Sequence, residues 1–123
     1  MSANTDIIRR FCESFASGDL DVTCSFMTDE CYWDDVVAEP ILGRDAIRSA
    51  FGAFLGTLER FELLVQHIAE TPDGAVLTER IDRISKNGEQ TDLWVMGTFE
   101  LEDGKIARWR DYSDCKVAAA FVE

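Results

Sequence analysis

The chain reads as an α+β fold, with N-terminal helices packed on one face of a curved, mainly antiparallel sheet. Apolar residues recur at helical spacing through the first half and alternate after Glu59, which is the change from a helical to a strand period. Three turn signals then follow at regular intervals: Pro72-Asp73-Gly74, Asn87-Gly88 and Asp103-Gly104. Helices first and a meander second is the α+β order. No linker, repeat or low-complexity stretch interrupts it, so residues 1–123 read as a single domain.

The elements follow in order. Ile7, Ile8, Phe11 and Phe15 predict a helix over 6–16, with Asn4 or Thr5 as its cap. Gly18 and Asp19 end it, and 20–28 reads as a short second helix. Residues 31–37 read as extended, and Pro40 and Gly43 make a turn. Ile47, Phe51, Phe54, Leu55 and Leu58 give a third helix, 44–58, its apolar stripe. The turn signals divide the remainder into strands near 61–70, 75–85, 91–101 and 106–114. In the first of these, Phe61, Leu63, Val65, His67 and Ala69 share a face, so His67 reads as a satisfied strand histidine. Residues 115–123 form a short helix or a terminal arm.

The 123 residues are 46% hydrophobic, enough for one domain with a core. A net charge of -12 repels phosphate and argues against nucleic acid and anionic membranes as partners. The N-terminal stretch lacks the apolar run of a signal peptide, and no segment is apolar for long enough to span a bilayer. Cys12, Cys24, Cys31 and Cys115 show no metal-ligand spacing, and His67 is the single histidine, so no metal site is expected. The cysteines read as buried thiols in a reducing cytoplasm.

The chemistry concentrates on the strand AVLTERIDRIS, residues 75–85, where alternation puts Thr78, Arg80 and Asp82 on one face. Trp109 and Asp111 share a face of the last strand. Whether the two faces coincide depends on hairpin register. A two-residue turn at Asn87-Gly88 sets Asp111 level with Met96 and Glu79, on the wrong face. A three-residue loop with a bulge sets it level with Met96 and Arg80. We favour the second register, which gathers Trp94, Met96 and Trp109 around the charges as a substrate pocket. Arg80 then holds a carboxylate on each side, and one acid can keep a proton while the other ionises. That supplies a general acid and a general base. From the spacing alone a structural cross-strand salt bridge is the favoured reading, because ion pairs across strands are common.

The segments Leu77-Thr78-Glu79-Arg80-Ile81-Asp82, Phe99 to Ile106 and Trp109-Arg110-Asp111-Tyr112 resemble the limonene epoxide hydrolase family. Its fold is the cone with an internal pocket (SnoaL-like, cystatin-like) shared with nuclear transport factor two and ketosteroid isomerase. The similarity is traceable through Glu39-Pro40, Gly43 to Ile47 and the first helix. It implies that Asp111 takes a proton from water, Asp82 protonates the oxygen of a small hydrophobic epoxide, and Arg80 holds both. The diol would form in one step, without a cofactor, and the protein would be a homodimer. The family holds its water with a tyrosine and an asparagine; Trp33 and Asp35 occupy those positions here. An indole donates a hydrogen bond but accepts none, and Asp35 adds a third carboxylate.

Two other readings are carried forward. Asp34-Asp35 with Glu39-Pro40 resembles the base region of ketosteroid isomerase, which would make Asp34 the base of an isomerase- or cyclase-like proton transfer. The positions of that family's oxyanion donors hold Cys12 and Gly97, which offer no comparable side-chain donor. The third reading is a non-catalytic binding or dimerisation module.

Overall fold

The computed structural model describes residues 2–35, 38–114 and 116–117. Helix α1 spans Ala3–Ser14, and a single 3-10 turn, Phe15–Ser17, continues it. Helix α2 is Leu20–Cys24. Strands β1 (Met27–Asp35) and β2 (Ile41–Leu42) precede α3 (Arg44–Leu55). Four long strands follow: β3 (Arg60–Glu70), β4 (Val76–Lys86), β5 (Glu89–Glu102) and β6 (Lys105–Ser113). They form one six-stranded sheet in the order β2-β1-β6-β5-β4-β3. Every neighbouring pair is antiparallel except β1 with β6.

Local chemistry explains most of the boundaries. Ser2 rather than Asn4 or Thr5 caps α1, its Oγ accepting from the Thr5 N–H at 3.1 Å. Gly18, at φ 72°, takes the left-handed conformation that ends the 3-10 turn. Asp19 caps α2 by accepting from Asp21 and Val22. The second helix stops at Cys24, short of the 20–28 expected, because Met27 already pairs with Ile106 in the sheet. The third helix likewise ends at Leu55, three residues early, and β1 begins at Met27 rather than Cys31. The Val37 end of the expected extended segment, the reading of Cys115 as a buried thiol, and a terminal helix over 115–123 lie outside the described residues, apart from Lys116 and Val117.

The core lies between the helices and the inner face of the sheet. Ile8 and Phe11 from α1, Phe15 from the 3-10 turn, and Ile47 and Phe51 from α3 pack on Val76, Phe99, Ile106 and Trp109. Cys12, Cys24 and Cys31 are buried free thiols, and burial pushes Cys12 and Cys31 up to about 12.

Three register details decide which side chains face the helices. Asn87-Gly88 is a two-residue turn: Lys86 pairs with Glu89, and both turn residues have positive φ (56° and 77°). The three-residue loop favoured from sequence is therefore corrected. A bulge exists, but in the next hairpin, where Glu100 pairs with Arg108 and Leu101 with Ile106, leaving Ala107 unmatched. It sets Asp111 opposite Gly97 rather than Met96. On β3 a second bulge falls at Gln66, between Val65–Arg80 and His67–Glu79. It reverses the alternation, so Ile68 turns inward and His67 turns out. His67 is a satisfied strand histidine, bonded to Glu79 at 2.9 Å, but at 84% exposed it does not share the face of Phe61, Leu63 and Val65 that simple alternation gives it.

Candidate active site

Among the described residues Arg80 is the largest fully buried side chain, and its two ion-pair partners are aspartates on the same inner face. Its Nε and Nη2 donate to Asp82 Oδ1 and Oδ2 at 3.0 and 2.9 Å. Nη1 and Nη2 donate to Asp111 Oδ1 and Oδ2 at 3.1 and 3.0 Å. Nη1 also reaches Thr78 Oγ1 at 3.3 Å. The guanidinium plane thus fixes both carboxylates at once.

Gly97 makes this close approach possible. A Cβ there would lie 2.4 Å from Arg80 Nη1 and 2.7 Å from Asp111 Oδ1. Sequence reasoning weighed Gly97 only as a missing oxyanion donor; its absent side chain is what the cluster requires. Asp111 takes a further bond from Trp109 Nε1 at 2.7 Å. The Trp109 indole is stacked between Trp33 (5.2 Å) and Phe99 (5.5 Å), which aims its N–H at the carboxylate.

Two buried aspartates share one cation. Burial pushes the Asp82 carboxyl above its ordinary value of 3.8; the Arg80 charge opposes this, while Asp111 and Asp35 add to it. Arg80 would be lowered by its own burial, but Asp111 and Asp82 outweigh that and hold it charged. Asp82 therefore holds its proton to higher pH than an ordinary aspartic acid does.

Asp82 and Asp111 line a cavity of about 430 Å³ between the sheet and α3. Phe51 and Phe54 from the helix, Phe61, Leu63 and Leu93 from the sheet, and Trp33 and Trp109 make its walls largely apolar. The parallel pairing of β1 with β6 sets Trp33 beside Trp109 and Asp35 beside Asp111, and Trp33 and Asp35 also line the cavity. The Trp33 Nε1 is buried and finds no acceptor among the described residues. Among those residues no group of three or more His, Cys, Asp or Glu side chains could hold a metal.

The structure does not bring Trp94 and Met96 to this pocket. They pair with Ile81 and Glu79 on the outer face and are 57% and 49% exposed, because the two-residue turn gives β5 the opposite facing. Asp34 lies level with Arg110, between Trp33 and Asp35, so it faces away from the cavity. A base at Asp34 would work on the wrong side of the sheet.

Residues 8–109 match the family model described as a SnoaL-like domain. The chain belongs to this family. Among its relatives is the epoxide hydrolase EphG of Mycobacterium tuberculosis, 31% identical over 108 residues that cover 87% of this chain and 70% of that protein. A solved limonene-epoxide-hydrolase-like structure from M. tuberculosis superposes with a TM-score of 0.82 at 27% identity, over 93% of this chain and 84% of that one. A putative polyketide cyclase from Xanthomonas campestris shares the fold, with a TM-score of 0.83 at 21% identity over 98% and 97% of the two chains. The SnoaL-like cone is thus common to chains of different named activities, and the side chains lining this pocket have to carry the functional argument.

Proposed function

We propose that this protein opens a small hydrophobic epoxide to a vicinal diol, with Asp111 as base and Asp82 as acid. One observation supports the reading above the others: a fully buried arginine clamps two carboxylates at the wall of an apolar cavity, and one of them is held above its ordinary pKa. A structural salt bridge needs neither the cavity nor the raised carboxyl.

A water between Asp111 and Asp35 donates one hydrogen to each and accepts one from Trp33 Nε1. Its second lone pair is then free to attack an epoxide carbon. Asp111 takes the proton as the new C–O bond forms; the ring C–O bond breaks, and its oxygen takes the proton of Asp82. The diol leaves, and the two carboxyls return to their starting states by exchanging a proton with bulk water. Ring strain supplies part of the driving force, so positioning of water and acid carries the rest. In this scheme the Trp33–Asp35 pair replaces the family's tyrosine and asparagine by one donor and one acceptor. Buried free thiols at Cys12, Cys24 and Cys31 support the cytoplasm as its compartment.

Asp111→Asn and Asp82→Asn should each lower the rate of epoxide opening on the order of a thousandfold, with circular dichroism unchanged. Full activity in either variant removes that residue from the mechanism.

A further inference from the structure

A second hollow lies on the other side of α3. It measures about 480 Å³ and is walled by the Phe15–Leu20 turn, by Gly52, Leu55 and Gly56, and by the start of β3. Helix α3 therefore divides its side chains between two spaces. Phe51, Phe54 and Thr57 just beyond it face the pocket of Asp82 and Asp111, whereas Leu55 and the two glycines face the second cleft.

Among the described residues, one side chain borders both hollows: Phe61. Its ring meets Phe15, which lines the second cleft, edge-on at 5.5 Å. It meets Phe54, which lines the pocket, edge-on at 5.7 Å. A core phenylalanine is enclosed by packed atoms on all sides. Phe61 is half-buried and has open space in two directions.

We propose that Phe61 is the partition that sets substrate length, confining this protein to compact epoxides and closing off a latent second compartment. The inference rests on reading the cavity beside Asp82 and Asp111 as the substrate site. With the ring in place, the pocket's volume sits toward the small end of the ~300–1,000 Å³ range of ligand sites. Without it, the pocket would run on into the second cleft and roughly double in volume; Leu20, Leu55 and Leu58 give that cleft apolar wall, and Glu59, Arg60 and Glu62 border it as well. The two edge contacts hold the ring across the gap in the native protein.

The test uses unreactive ligands, so that it does not depend on turnover. Straight-chain alkane-1,2-diols of about six to about fourteen carbons are titrated by quenching of tryptophan fluorescence in a Trp94→Phe background, where the indoles left are Trp33 and Trp109 in the pocket wall. Each buried CH₂ adds about fourfold in affinity. With Phe61 present, affinity should rise and then stop rising as the chain meets the partition. In Phe61→Ala it should continue to rise, with a gain of about tenfold or more for the longest diol. Phe61→Leu, the milder packing change, should give a smaller gain in the same direction. Adding Ala16→Phe, an exposed position lining the second cleft, should cancel the gain of Phe61→Ala without adding an indole. Identical chain-length profiles with and without the Phe61 ring would overturn the proposal, and so would a gain that survives Ala16→Phe. Epoxide turnover is measured alongside: a native protein that turns epoxides over but shows no chain-length limit refutes the partition alone, whereas length-selective binding without turnover refutes the hydrolase reading alone.

Discussion

Arg80 and Arg83 stand three residues apart on one strand, and each grips an aspartate with two N–H groups in nearly the same geometry. Arg80 holds Asp82 at 3.0 and 2.9 Å; Arg83 holds Asp92 at 2.9 and 3.0 Å. Strand alternation sends one pair into the core and the other into water. Arg83 and Asp92 remain about one-third exposed, and solvent competes for every bond they make. Arg80 is wholly buried and faces a second carboxylate as well. Outside, an arginine–aspartate pair decorates a surface. Inside, the same pair is joined by Asp111, so two buried carboxylates share one cation.

Removing each cation should separate the two faces most clearly. Arg80→Met leaves two buried carboxylates without their counterion and should destabilise the fold by about 3–5 kcal/mol. Arg83→Met should leave the urea midpoint unmoved. Equal midpoints for the two variants would mean that Arg80 is no more than a surface pair turned inward.

A subtler contrast lies one residue apart on β5. Gly97→Ala drives a Cβ against Arg80 and Asp111 and should destabilise by about 1–3 kcal/mol while lowering kcat by about a hundredfold. Met96→Ala, on the exposed face, should change neither. Normal turnover in Gly97→Ala would show that the site tolerates displacement of its carboxylates.

The smallest effect expected is on the pH dependence of stability. The folded protein keeps the Asp82 proton to higher pH than the unfolded chain does. The stability this contributes is fully present below the ordinary value of 3.8 and is lost as pH rises through the raised pKa. Urea midpoints measured across that window should fall for the native protein and fall less for Asp82→Asn. Activity that needs protonated Asp82 should decline over the same rise. The exposed Asp92, lowered by its bond to Arg83, has the opposite sign: its contribution is present above its ordinary value and is lost as pH falls through the lowered one.

How much of this was legible in the chain follows from where periodicity breaks. Long alternating stretches and the Asn-Gly and Asp-Gly turns mark β3 to β6 closely, because both signals come from backbone geometry that few residues adopt. Arg80 and Asp82 share a face by simple alternation. Asp111 joins them through a bulge at Ala107, and nothing in Lys105-Ile106-Ala107-Arg108 announces it: no glycine or proline marks the extra residue. Assigning that bulge to the Asn87-Gly88 turn instead drew Trp94 and Met96 inward. The bulge at Gln66 misled the reading of His67 in the same way. Trp33 and Asp35 follow from β1 running parallel to β6, a long-range pairing that local pattern does not reveal. The role of Gly97 was the one available signal left unused, since a glycine inside a strand marks a close approach.

The central claim is that water activated by Asp111 attacks the epoxide directly while Asp82 protonates the ring oxygen. A single turnover in water carrying heavy oxygen, with enzyme in excess, tests it most directly. The account predicts that the label appears in the diol at the first turnover and that no protein carboxylate acquires it. Unlabelled diol from the first turnover, with label entering a carboxylate of the protein, would contradict it and point to a covalent ester.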